Sequence, residues 1–261
     1  MASEEPRARS VGPRDVPVLQ SRAGGPAERF AHAVAGWHPA AVFVAALLCG
    51  YAVLAGVSLL LALFVTDVLV QVDDIGRTDQ STIVSIVAER TPFLDDASSV
   101  GSAVGGAPVL PILVGIIGIV CAFLRRWRLA AFAVFVLVVE SATYRVTSLL
   151  VPRQRPDVQR LEDLPADQSY PSGHTAASIA VYSGFVLLLT SRFTNSTFRA
   201  LAWTFAILVA TFVALSRMYR GMHHPLDVAG GVVVGIGAVL VVLFACRAAG
   251  AVADARRRTR A

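Results

Sequence analysis

Charged side chains are scarce in this sequence. Asp, Glu, Lys and Arg make up 16% of its 261 residues, against about 25% in soluble globular domains. With 55% hydrophobic residues and a mean hydropathy of +0.64, that deficit excludes an ordinary soluble domain and points to the bilayer. Cysteine is scarce too. Cys49, Cys121 and Cys246 each lie in or at the end of an apolar run, and no pair has metal-ligand spacing. They suggest no disulfide framework and read as small packing residues. Also missing is a basic face interleaved with aromatics, so the net charge of +5 and the pI near 9.6 do not indicate nucleic acid. The arginines sit instead in the tails and in short loops, where a membrane protein carries its orientation signal.

What is present is a series of apolar runs that reach the roughly 20 residues needed to cross a bilayer. Residues 1–38, rich in Arg, Pro, Gly, Ser and Glu, read as a disordered cytoplasmic tail. The first apolar run begins too far along for an ordinary cleaved signal peptide and is expected to stay as a transmembrane helix. Within a membrane domain over 39–248, hydropathy places six spans, at about 40–65, 106–124, 129–151, 173–191, 198–215 and 226–247. Pro108 and Pro111 fall near the start of the second. The stretch 66–105 is mixed, with a helical piece around 80–90 expected to lie on the surface. Residues 249–261 form a basic cytoplasmic tail. The expected fold class is all-α, a polytopic membrane helical bundle of six transmembrane helices; the oligomeric state is left open.

The short loops orient the bundle. Arg125, Arg126 and Arg128, then Arg192 and Arg199, then Arg256, Arg257, Arg258 and Arg260 all fall on one side, which the positive-inside rule makes cytoplasmic. The opposite side should be poor in arginine, yet it holds Arg153, Arg155 and Arg160 in one loop and Arg217 and Arg220 in another. Five arginines that oppose the topology signal suggest a shared anion site.

Three segments on that face carry the chemistry: Arg153-Gln154-Arg155-Pro156-Asp157, Tyr170-Pro171-Ser172-Gly173-His174, and Ser216-Arg217 through His223 to Asp227. Guanidinium forks match phosphate oxygens with paired, charge-assisted hydrogen bonds. Ser172, Gly173 and His174 open an apolar run, where backbone N–H groups at a helix start favour an anion. His223 and Asp227, four apart with Pro225 between them, share a helix face, and the carboxylate can hold one imidazole nitrogen while the other stays free. Taken singly, Arg155 and Arg217 read equally well as interfacial anchors, and His174 and His223 read more readily as ordinary interfacial histidines. Their joint order and spacing favour a site.

Together the three segments resemble the signature of the type 2 phosphatidic acid phosphatases, the lipid phosphate phosphatase superfamily. That signature has a Lys followed seven residues later by Arg-Pro, then Pro-Ser-Gly-His, then Ser-Arg with a His six residues on and an Asp four after that. Arg155-Pro156, Pro171 to His174, and Ser216-Arg217, His223 and Asp227 fit in order and spacing. The signature region spans about 145–227, and the likeness including helix placement covers roughly 105–247. The family's Lys falls on Ser148 here. Arg145, a helical turn away, can reach the same site and is the first substitute; Arg153 is the second.

The resemblance implies a membrane-embedded phosphatase acting on a lipid phosphate or isoprenoid diphosphate, with the site at headgroup level on the extracytoplasmic side. It implies catalysis by His223 as nucleophile, Asp227 as its partner and His174 as proton donor, then as activator of water. Arg155, Arg217, Ser172 and Gly173 bind the phosphate, with Arg145 as a further candidate. No metal or other cofactor is expected, and a bacterial plasma membrane suits the composition. The alternative is a non-hydrolytic relative that binds or moves phospholipids, with Ser148 as a first sign of decay. Outside the signature, His224 reads as interfacial packing, and Gly231 and Gly235 as a close helix contact. Glu140, near the middle of the third span, is expected to be protonated and bonded to a neighbouring helix, with a direct part in substrate handling as the sharper alternative.

Overall fold

A computed structural model describes residues 16–258. The ends of both expected tails, 1–15 and 259–261, lie outside the described residues. The described chain is helical throughout, with one isolated bridge between Arg153 and Gln168. Helix α1 covers Pro26–Ala33 and α2 covers Pro39–Leu63, continuing through a wide turn and a tight one to Gln71. Then come α3 (Asp73–Ala88), α4 (Pro92–Val104), α5 (Val109–Phe123) and α6 (Trp127–Leu150). After the long loop 151–172 follow α7 (Gly173–Ser178), α8 (Gly184–Thr190), α9 (Ser196–Tyr219) and α10 (Pro225–Arg258).

Six of these stretches are long and apolar enough to cross a membrane: Pro39–Gln71, Pro92–Phe123, Trp127–Leu150, Gly173–Thr190, Ser196–Tyr219 and Pro225–Arg258. The protein is a multi-pass, all-α membrane bundle, as its hydropathy indicates. Local signals set several helix starts. Pro39 and Pro92 occupy first-turn positions, where a missing N–H costs nothing. The His38 ring, the Thr91 hydroxyl and the Asn195 amide oxygen accept from Ala40, Leu94 and Phe198 N–H groups, satisfying donors that the helix itself leaves orphaned. Apolar side chains such as Leu48, Leu60, Ile116 and Leu208 remain exposed, as a lipid-facing surface requires.

Helix α10 is the central post, packing against α2, α6, α7 and α1. Val42, Ala46, Phe132, Val136 and Ala180 are fully buried in the core around it, together with its own Val242. Two glycines set how close α7 comes. A Cβ at Gly231 would meet the Ser172 carbonyl at 2.6 Å, and one at Gly235 would meet the Ala176 carbonyl at 2.6 Å. Small residues here let two backbones touch, and that contact fixes the Pro-Ser-Gly-His turn against the start of α10.

The structure departs from the sequence-based boundaries in four places. The second span begins at Pro92 rather than 106, because α4 and α5 run in series across a break at Gly105–Pro108. The low hydropathy of α4 reflects Ser98, Gly101 and Ser102, which are buried on a helix that packs against α9. The helical piece expected around 80–90, α3, starts earlier, at Asp73; it lies on the surface as expected, with only Asp79 and Ile83 buried. The last helix continues through the basic segment to Arg258. Finally, the tail expected to be disordered contains α1, whose Ala27 and Ala31 join Leu19 in the core, while Phe30 stacks edge-on against Phe244 at 5.5 Å.

Candidate active site

The loop 151–172 folds back on itself. Arg153 N–H donates to Asp167, Arg155 N–H to Ala166, and Ser169 N–H to the Arg153 carbonyl, at 2.8–3.0 Å. This brings its two arginines over the turn that joins α9 to α10. Arg155, Gly173, His174, Arg217 and His223 line one cavity of about 250 Å³, with Leu137, Glu140, Ser141 and Tyr144 of α6 on another wall. Gly106 faces His174 closely: a Cβ there would lie 2.4 Å from its Nε2.

His223 is buried, and its Nδ1 lies 2.8 Å from the Ser169 carbonyl. A carbonyl only accepts, so Nδ1 carries the proton and Nε2 keeps its lone pair. That nitrogen lies 3.5 Å from Arg155 Nη1. Burial, then the Arg217 and Arg155 guanidiniums, push the His223 pKa well below the usual imidazole range, so the ring is neutral. Asp227 does not hold His223 by a hydrogen bond. Its Oδ2 is 3.9 Å from Nδ1. The carboxylate instead takes the Ser169 hydroxyl at 2.6 Å, the His224 N–H at 2.7 Å and an ion pair with Arg153. The expected His–Asp bond is thus replaced by a backbone carbonyl, because the folded loop delivers Ser169 to both partners.

Arg217 is fully buried. Its Nη1 meets both Glu162 oxygens at 2.7 and 2.8 Å and the Ser102 hydroxyl. Its Nε and Nη2 have no hydrogen-bond partner among the described residues, leaving donors for an anion. Arg155 is more committed. It donates to the carbonyls of Pro165, Met222 and Gln168 at 2.6–2.9 Å, which fix its plane beside His223.

Other expected site residues are placed differently. Ser172 is buried, its hydroxyl paired with Thr175 at 2.9 Å and its N–H donated to the Asp227 carbonyl, and it does not line the cavity. Arg145 is exposed and does not line the cavity. Arg153, the second substitute for the missing Lys, is held between Asp79 and Asp227. Ser148 is buried, with its hydroxyl on the Arg145 carbonyl. Glu140 is buried but bonds Ser141 of its own helix at 3.0 Å rather than a neighbouring helix.

Four contributors were not anticipated. Asp79 of α3 pairs with Arg153 and accepts the Leu226 N–H at 3.0 Å. Gln80 meets the His224 ring at 3.0 Å. The Ser169 carbonyl orients His223. Glu162 bridges Arg217 and Arg220, the latter at 2.6 Å. Burial alone would push the Glu162 carboxyl up, but the Arg217 and Arg220 guanidiniums and the Ser102 hydroxyl outweigh it and hold it at about 2. An acidic residue in an arginine-rich loop was the available signal for Glu162. Asp79 and Gln80 gave none, since only the fold brings α3 to the loop.

Known proteins resemble this chain in sequence and in fold. The model of the PAP2 superfamily matches residues 128–249. Phosphatidylglycerophosphatase B of Bacillus subtilis is 25% identical over 181 residues, covering 69% of this chain and 89% of the relative. An undecaprenyl-diphosphatase of Sulfolobus acidocaldarius is 43% identical over 75 residues, 29% of this chain and 32% of the relative. The crystal structure of a transmembrane PAP2-type phosphatidylglycerolphosphate phosphatase from Bacillus subtilis superposes with a TM-score of 0.61 at 23% identity, covering 78% of this chain and 93% of that one. Over residues 128–249 this chain is similar to the PAP2 superfamily, and it shares the helical fold of that solved structure.

Proposed function

We propose that this protein is a membrane-embedded phosphatase that removes phosphate from a lipid phosphate or polyprenyl diphosphate through a phosphohistidine at His223. The observation that carries the reading is the disposition of His223. Its Nδ1–H is tied to the Ser169 carbonyl and its bare Nε2 lies beside Arg155, in the cavity shared with His174 and the unpartnered donors of Arg217. Relatives that act on phosphatidylglycerophosphate and undecaprenyl diphosphate by name support the substrate class.

In the first step the Nε2 lone pair attacks phosphorus and the bond to the leaving oxygen breaks. His174 gives that oxygen a proton, releasing a lipid alcohol or, from a diphosphate, a lipid monophosphate. The incoming phosphate charge favours the protonated form of His174. Arg217 donates through Nε and Nη2, Arg155 adds positive field and the Gly173 backbone approaches closely, stabilising the equatorial oxygens. In the second step His174 takes a proton from water, the water oxygen attacks phosphorus, the P–N bond breaks and phosphate leaves. Asp227, close to the ring, stabilises its transient positive charge. The arginines supply the field that a metal supplies in other phosphatases.

The phosphatase domain is 39–248, and the site faces the extracytoplasmic side of what we take to be a bacterial plasma membrane. The second reading is a lipid-binding relative without hydrolysis. Its support is Ser148, since neither Arg145 nor Arg153 replaces the missing Lys inside the cavity. Phosphate release from phosphatidic acid, phosphatidylglycerophosphate and polyprenyl diphosphate, measured in mild detergent with chelator, separates the two. Release by the wild type and none by His223→Ala supports the enzyme. Lipid binding without release by a folded wild type supports the alternative.

A further inference from the structure

The mechanism leaves one buried polar group of the cavity unused. Glu140 is 1% exposed, lines the same cavity as His174, Arg217 and His223, and its Oε1 has no hydrogen-bond partner among the described residues. Its other oxygen takes only the Ser141 hydroxyl at 3.0 Å. An unpartnered polar atom in an apolar membrane interior is costly, and a helix of this composition would be better served there by leucine. Leu110, Leu137 and Ala177 also line this cavity, with Ser141 and Tyr144 beside Glu140 on α6.

Depth assigns Glu140 to a definite part of a substrate. On α6, Tyr144 lies against the Pro-Ser-Gly-His turn, its ring 3.1 Å from the Cβ position of Gly173. Glu140 precedes it by one turn, about 6 Å nearer the bilayer centre by helix rise. A phosphate held by Arg217 and His223 therefore sits above Glu140, and the first atoms of the leaving alcohol pass beside it. A hydroxyl on the carbon next to the phosphoester carbon is the first polar group of the leaving alcohol to pass this wall, within hydrogen-bonding reach of a carboxyl there at about 2.8 Å. A hydroxyl both donates and accepts, so it pairs with Oε1 whether the carboxyl is neutral or ionised. A bare isoprenoid or alkyl chain offers nothing to this atom.

Resting on the phosphatase reading above, we propose that Glu140 is a specificity-determining residue that selects lipid phosphates whose leaving alcohol carries a hydroxyl next to the phosphoester carbon. Sites built to bond a substrate hydroxyl reject the analogue that lacks it, because their own polar group is then left unpaired.

The test uses the full chain in detergent micelles with two substrates: hexadecyl phosphate and its analogue carrying a hydroxyl on the second carbon. The readout is the ratio of their kcat/KM values. The wild type is expected to favour the hydroxylated substrate by about 10-fold or more. E140L is expected to bring the ratio close to unity, and E140Q, which still bonds a hydroxyl, to retain a preference. Hydrolysis of both substrates by the wild type without preference overturns the Glu140 assignment alone. So does a ratio unchanged in E140L, or a loss of both activities alike in that variant, which would mark Glu140 as structural. Hydrolysis of neither substrate by the folded wild type would overturn the phosphatase reading and this proposal with it.

Discussion

At the scale of single residues, the pairing of Asp227 is the point on which sequence and structure differ most. Four-residue spacing put the carboxylate on the same helix face as His223, and the likeness to the family made it the partner of the imidazole. The fold keeps them near each other but gives the hydrogen bond to the Ser169 carbonyl. Asp227 instead compensates the buried Arg153, together with Asp79. Removing one member of a buried ion pair leaves an uncompensated charge and costs roughly 3–5 kcal/mol. Asp227→Asn is therefore expected to lower stability by about 3 kcal/mol, read as a lower melting temperature in detergent. It should also reduce kcat, since the phosphorylated ring loses its nearest negative charge. An unchanged melting temperature would mean that Asp79 alone satisfies Arg153. Nothing in the sequence marks Asp79 or the Ser169 carbonyl. One sits on a helix distant along the chain, and the other is a backbone atom that only the folded loop aims.

At the scale of elements, the six spans were legible because bilayer thickness fixes both their length and their composition. Helix α4 was not, because its small and polar residues pack on α9 rather than facing lipid, and hydropathy cannot tell such a helix from a loop. Helix α1 escaped for a related reason, being too short and too polar to rise above its Pro- and Gly-rich surroundings. The loop 151–172 shows what only folding reveals. Its arginines were visible as violations of the topology signal, yet the pairing of its Glu162 with Arg217 and Arg220 was not. All 23 basic residues of the chain are arginine, whose forked donors suit such shared contacts. Glu162 clamps the loop to the end of α9 through Arg217 and Arg220. With its carboxyl held at about 2, against roughly 4.3 in an unfolded chain, the clamp contributes stability above the unfolded value. That contribution is lost as pH falls through the folded one. The melting temperature of the wild type should exceed that of Glu162→Gln at pH 7, and the gap should close between about pH 4 and pH 2. A gap independent of pH would show that the ionised carboxylate is not what holds the loop.

For the whole molecule, the bundle places a polar, arginine-rich chamber at one end of six apolar helices, with His223 just before the start of α10 and the basic stretch at the end of that helix. Residue order in the three signature segments was enough to find the chamber, because each lies where a span meets a loop. Its lower wall was less legible. Glu140 stood out as a carboxyl inside a span, but only the fold sets it in the same cavity as the histidines. The account as a whole turns on covalent chemistry at one nitrogen. The most direct measurement is a rapid alkaline quench of the purified protein during turnover of a lipid phosphate labelled in its phosphate, followed by peptide mapping. The account predicts acid-labile, alkali-stable label on the peptide containing His223 and none in His223→Ala. Label on another residue, or turnover that persists in His223→Ala, would contradict it.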